Sequence, residues 1–163
     1  MTEPQRGAKG AKELSLNEHT MNSESAKSEI FQLCDKVRET GFAIHRYLRH
    51  GHVEKIYQNA LVHRLRKQGI HAETEVPLQV YDEDGTVLGD FRADIIGAGQ
   101  LIIEVKARKA LENEDIAQLL GYLRAARVEH GLLINFGAAK FEIRKFALRD
   151  AVLPAGSSQS SQP

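Results

Sequence analysis

Apolar residues at Ile30, Leu33, Cys34, Val37, Phe42, Ile44 and Leu48 broadly follow a helical period and predict a helix over about 24–48. Gly41 lies within that pattern and either bends or splits the helix. A second helix is predicted from about Val53 to Gln68, with Val53, Ile56, Tyr57, Ala60, Leu61 and Leu65 inward and Gly69 as its closing cap. The period then shortens to two. Val76, Leu78 and Val80 alternate with Glu75, Gln79 and Tyr81, which predicts a strand with one buried face. Asp82-Glu-Asp-Gly85 turns the chain into a second strand over about 86–96, and Gly97-Ala-Gly99 turns it again into a third, Leu101–Ala107. Short turns of this kind make an antiparallel meander. A third helix is expected over about Asn113–Ala126, with Ile116, Leu119, Leu120 and Leu123 on its inner stripe. Asn113, followed by the acids Glu114 and Asp115, suits its start. Gly131–Phe136 reads as a buried strand and Phe141–Leu148 as a more polar one. The order helix, helix, three strands, helix, two strands is that of an α/β (α+β) chain without internal repeats.

The flanks lack such patterns. Residues 1–25 are rich in Glu, Lys, Gly, Ser and Asn and predict a disordered leader, and 151–163 predicts a flexible tail. One domain is expected between them, over 26–150. With 163 residues, 42% of them hydrophobic, the chain can build a core without disulfide or zinc staples. Cys34, the single cysteine, excludes an internal disulfide and a cysteine-based zinc site, and its place on the first helix's inner stripe predicts packing. The first nineteen residues have no apolar core, and no apolar run is long enough to span a membrane. The expected compartment is the cytoplasm. Basic and acidic residues balance at 22 each, so any attraction to nucleic acid must come from a local patch.

The most informative segment is Asp94-Ile-Ile-Gly-Ala-Gly-Gln-Leu-Ile-Ile-Glu104-Val-Lys106. Three charged residues interrupt otherwise buried runs, and a buried charge is costly unless paired or bound to a metal. Alternation puts Glu104 and Lys106 on one face of their strand. With Asp94 on the neighbouring strand, two acids and an amine can converge. Magnesium commonly takes one or two carboxylates with water and substrate phosphate. Asp94 and Glu104 are the candidate ligands, with the carbonyl of Val105 as a further oxygen donor. Lys106 would then orient or deprotonate a water, or stabilise transition-state charge. The plain alternative is a Glu–Lys pair at a wet strand edge.

Four neighbours extend the pattern. Arg92 either pairs with Asp94 or contacts a phosphate. Gln118 and Tyr122 are one turn apart on the third helix, as an ordinary flank or as a wall of the site, with Gln118 at the attacking water or the substrate backbone. Glu54 opens the second helix, where the helix dipole favours an acid and where it is also placed to add a third carboxylate. His45, His50 and His52 gather only near a helix junction and suit surface or packing contacts better than a metal site.

Gly51-His-Val-Glu54-Lys-Ile-Tyr57 resembles the signature of the GxxExxY protein family. The resemblance continues through Arg92-Ala-Asp94-Ile-Ile, Ile103-Glu104-Val-Lys106-Ala, Ala117-Gln118-Leu-Leu-Gly-Tyr122-Leu and Gly131-Leu-Leu-Ile-Asn135-Phe136-Gly137. It spans roughly Ile30 to Leu148, in the family's order. That family looks like a branch of the PD-(D/E)XK nuclease superfamily. The resemblance implies a restriction-endonuclease-like core, a central mixed sheet of about five strands flanked by helices. It also implies a magnesium- or manganese-dependent nuclease acting on DNA or RNA. By matching motif, Glu54 is the helix acid, Asp94 the metal-binding acid, Glu104 and Lys106 the E-x-K pair, and Gln118 and Tyr122 the following helix motif. Arg49-His50-Gly51 departs from the Gly-Pro-Gly entry that relatives often carry, which touches loop geometry and not chemistry. The competing expectation is a non-catalytic module that binds nucleic acid or protein on the same fold. A homodimer through the amphipathic first helix is compatible with either.

Overall fold

The computed structural model describes the chain from Gly10 to Leu148, and its side chains from Met21. Residues 1–9 and the predicted tail, 151–163, lie outside the described residues. Helix α1 spans Gly10–Leu48, so it starts well before the apolar period and takes in residues 10–25, expected as part of the leader. Ala11, Lys12, Glu13 and Leu14 are good helix formers, and propagating a helix costs far less than nucleating one. The helix runs unbroken past Gly41. The chain divides into two compact units, residues 1–36 and 37–163. The described part of the first is helix, with Ile30, Leu33 and Cys34 buried.

The second unit holds the end of α1, then α2 (Glu54–Lys67), β1 (Ala72–Tyr81), β2 (Val87–Gly97), β3 (Leu101–Lys106), α3 (Asn113–Ala126), β4 (His130–Asn135) and β5 (Glu142–Ala147). The strands form one mixed sheet in the order β1-β2-β3-β4-β5. All neighbours are antiparallel except β3 and β4, which run parallel because α3 carries the chain across between them. This is the five-stranded sheet with flanking helices expected of a restriction-endonuclease-like fold.

The alternation that predicts the strands also fills the core. Leu78, Ala93, Ile102 and Leu133 present one sheet face to Leu119, Tyr122 and Leu123 of α3. On α2, Tyr57, Leu61 and Leu65 are fully buried, whereas Val53 and Ile56, expected inward, are exposed. Val53 is the N-cap of α2, and the helix's buried residues begin only at Tyr57. Phe42 of α1 is likewise exposed, where an inward place was expected, and touches the ring of Phe141 edge-on. Tyr57 stacks on Phe136 with ring centroids 4.7 Å apart. Helix α3 is capped by Glu112 in place of the expected Asn113. Its side chain and that of Asp115 reciprocally bind backbone N–H groups.

Two irregularities shape the sheet where the site lies. The β2–β3 ladder stops at Ile95↔Ile103, so the strands part at Asp94 and Glu104. Beside the fork, Glu75 of β1 is left-handed at φ 52°. The β3–β4 ladder, by contrast, continues to Lys106↔Asn135.

Candidate active site

Strands that part leave N–H groups without ladder partners, and two carboxylates take them. The backbone N–H of Val105 donates to Asp94 Oδ2 at 2.9 Å, and that of Asp94 donates to Glu104 Oε1 at 3.1 Å. Each acid therefore crosses the fork and is fixed by the opposite strand. A strand residue's N–H and C=O lie on the same edge, so the Val105 carbonyl also opens toward β2.

Glu104 is 2% exposed, and burial pushes its carboxyl up to about 8, with the charge of Asp94 acting in the same direction. The Asp94 carboxyl is also raised, chiefly by burial, against the lowering effect of the Val105 N–H. The two carboxyls also act on each other, which lowers Asp94 and raises Glu104. Two hard oxygen donors that need positive charge between them fit a divalent cation of the magnesium or manganese kind. Among the described residues no group of three His, Cys, Asp or Glu side chains forms a metal cage. Protein ligands alone would not fill the shell, which is the usual situation for magnesium.

Lys106 points from the end of β3 toward α3. Its Nζ donates to Gln118 Oε1 at 2.9 Å, and Gln118 Nε2 donates to Tyr122 Oη at 2.9 Å. Asp115, buried at the first turn of α3, lies 3.8 Å from Lys106 Nζ and 3.3 Å from Arg108 Nη2. The amine is thus held between a neutral oxygen and a carboxylate. Tyr122 senses the acids too: its phenol is raised, first by burial and then by the negative charges of Glu104 and Asp94. Asp94, Glu104, Lys106, Gln118 and Tyr122 therefore gather at one place.

Glu54 and Arg92 are not joined to that cluster in the same way. Glu54 is half-buried at the start of α2. One turn later, Gln58 reaches the site instead, its Nε2 donating to the Asp94 carbonyl at 2.8 Å and to Glu75 Oε1 at 3.0 Å. Arg92 donates through Nη1 to the Glu75 carbonyl at 3.3 Å, turning back to β1 rather than pairing with Asp94. Gln58 and then Lys55 hold the Glu75 carboxyl below its ordinary range.

The GxxExxY segment has a structural logic. Gly51 sits at φ 117°, where a side chain would be strained. Tyr57 Oη donates to the Arg49 carbonyl and accepts from the His52 N–H, so the tyrosine locks the turn that starts α2. A second bracket holds the other side. Asn135, fully buried, accepts through Oδ1 from Arg108 N and Gly137 N and donates through Nδ2 to the Arg108 carbonyl, each at 3.0 Å. A Cβ on Gly137 would lie 2.2 Å from the Arg108 nitrogen, so the close approach admits only glycine. Farther out, His45 is buried with Nε2 2.8 Å from the Ala138 carbonyl.

Sequence reasoning did not reach Gln58, Glu75, Asp115 or Asn135 as site residues. Asp115 left a trace as an acid in the first turn of a helix, and Asn135 as part of a quoted motif. Gln58 and Glu75 left none, since their contact depends on how α2 crosses β1.

No curated protein matches the chain. Among solved structures, one titled "Crystal structure of SSO0001" is 25% identical with a TM-score of 0.47, covering 58% of this chain and 50% of its own. The chain thus spans half the length of that structure. Residues 31–146 match the PD-(D/E)XK nuclease superfamily, most of the chain and all of the sheet but the last residue of β5. With the paired acids on β2 and β3 and the lysine two residues beyond the second acid, the chain belongs to the PD-(D/E)XK nuclease superfamily.

Proposed function

We propose that the protein hydrolyses phosphodiester bonds of DNA or RNA at the β2–β3 fork, with a divalent cation held by Asp94, Glu104 and the Val105 carbonyl. The observation that carries this reading is the pair of buried carboxyls fixed across the fork, Glu104 raised to about 8 beside Asp94. A bound magnesium or manganese ion would supply positive charge for a phosphoryl oxygen and acidify a water.

The chain's own residues do the rest. Asp94 and Glu104 are preset by backbone N–H bonds, so little reorganisation accompanies binding. Lys106, steadied by Gln118 and Asp115, offers an ammonium to the charge that grows on the phosphoryl oxygens. Gln118 and Tyr122 form the α3 wall against which the strand is positioned. Glu54, half-buried at the start of α2, is the candidate for a further contact to water or metal, and Arg92 for a flanking phosphate. Within the superfamily, the Gly51–Tyr57 segment and the motifs that follow it support membership of the GxxExxY family.

The test is incubation of purified protein with single-stranded, duplex and branched DNA and with RNA in magnesium or manganese, beside Asp94→Ala and Lys106→Ala forms. Cleavage by the unaltered protein alone is expected. Absence of cleavage on every substrate, with no heat of metal binding in calorimetry, would leave a non-catalytic binding module as the better reading.

A further inference from the structure

A second feature lies along the outer flank of α2. Asn59, Val62, His63, Arg66 and Lys67 of that helix and Thr74 of β1 line a cavity of about 470 Å³. Its lining has three basic-type side chains, two neutral hydrogen-bonding ones and no carboxylate. Val62, 4% exposed, gives it an apolar floor. His63 and Lys67 are exposed and carry no ion pair among the described residues. Arg66 is different: its Nε and Nη2 both donate to the Ala72 carbonyl, at 3.0 and 2.7 Å. A guanidinium has five donors, so three stay available on a group already pinned to the edge of the sheet. Pinning lowers the entropy lost when such a group grips an anion.

The N-terminal half of α2 meets the fork: Gln58 touches the Asp94 carbonyl, and Lys55, one turn before Asn59, is paired with Glu75 at 3.1 Å. The acids nearest the groove are thereby engaged, Glu75 with Lys55 and Gln58 and Glu73 with His71. From Lys67 back to Lys55 the helix covers roughly 18 Å, at about 1.5 Å per residue, room for several successive phosphates. The helix dipole accounts for basic residues in the last turn of α2. It does not account for a cavity shared with Asn59 and Thr74.

We propose that this α2–β1 groove binds the phosphodiester backbone of one nucleic-acid strand beside the β2–β3 fork. The proposal deepens the nuclease reading and rests on it for the place where the strand is cut. Arg66, Lys67 and His63 meet the phosphates, Asn59 and Thr74 donate neutral hydrogen bonds, and Val62 packs under the sugars. None of these contacts reads a base, so binding there is tolerant of sequence.

The experiment is fluorescence anisotropy with short labelled DNA and RNA oligonucleotides, without divalent metal, across a series of salt concentrations. A His63→Glu/Lys67→Glu double variant is compared with Arg124→Glu, which alters an exposed cation in the last turn of α3. Thermal melting checks that each variant folds. The double variant should bind at least about tenfold more weakly, with the salt slope reduced by about one unit for each phosphate that is no longer neutralised. Arg124→Glu should bind as the unaltered protein does. The groove is overturned if the double variant binds normally, if Arg124→Glu weakens binding equally, or if the unaltered protein binds neither oligonucleotide. Cleavage measured in parallel separates the two ideas. Normal groove-dependent binding with no cleavage removes the nuclease reading and keeps the groove, and cleavage with unchanged affinity in the double variant does the reverse.

Discussion

A single buried amide connects three parts of the site. Asn135 makes three hydrogen bonds to the backbone at Arg108 and Gly137, just beyond Lys106. Asn135→Ala removes the amide and leaves those backbone groups unsatisfied in a buried position, so it should cost about 2–4 kcal/mol, read from urea unfolding. Gln118→Ala differs in kind. Gln118 is exposed, so its loss should change stability by no more than about 0.5 kcal/mol. It nonetheless frees Lys106 from the oxygen that orients it, and cleavage should fall by roughly ten- to a hundredfold at unchanged melting temperature. A Gln118→Ala enzyme as fast as the unaltered protein would show that Lys106 needs no such support. These two residues also mark what the sequence shows at this scale. Asp94, Glu104 and Lys106 stand out because charges interrupt apolar runs, and Gln118 and Tyr122 because a helical turn pairs them. Asn135 sits at the end of an apolar strand, and nothing local tells that two of its bonds go to Arg108, on the loop after β3.

At the scale of elements, periodicity carried far. The third helix is found over the predicted residues, Asn113–Ala126, and the meander and the last two strands fall within a few residues of expectation, apart from β1. That strand is longer than its alternation, because Ala72–Thr74 pairs with β2 without keeping a clean apolar face. The start of α1 is missed for a related reason: residues 10–25 carry no sustained apolar stripe, so only propensity marks them as helix. The register of the fork is also invisible in one dimension, since it depends on where β2 leaves β3. The start of α2 offers a test of an element's placement. Tyr57→Phe keeps the stack on Phe136 but removes the hydroxyl that holds Arg49 and His52. We expect a loss of about 1–2 kcal/mol, together with faster hydrogen exchange at 49–53 than in β3. Uniform exchange across both segments would mean that the tyrosine hydroxyl does not fix this turn.

For the molecule as a whole, a fork that binds a cation should make stability depend on pH and on metal. Glu104 is raised from an ordinary value of 4.5 to about 8 in the folded protein. Between those values the folded state holds a proton that the unfolded chain releases, so stability without metal falls as pH rises from about 4.5 through about 8. Below the lower value the contribution is fully present, and above the upper it is gone. Glu104→Gln keeps an oxygen to accept the Asp94 N–H and removes the second negative charge. At pH near 8 the metal-free variant should therefore be more stable than the parent by on the order of 2 kcal/mol, roughly 4–8 °C in Tm for a chain of this size. Magnesium or manganese should reverse the ranking. A cation that binds only the folded parent raises its Tm as concentration climbs above Kd, by about 2.7 kcal/mol at a hundredfold excess. Glu104→Gln should show little of that rise, and no cleavage. Differential scanning calorimetry with and without metal, at pH 5 and pH 8, measures the stability changes, and an oligonucleotide cleavage assay reads the activity. A parent protein equally stable at both pH values, or a variant that gains as much from metal as the parent, would mean that the acids at the fork are not a frustrated pair awaiting a cation.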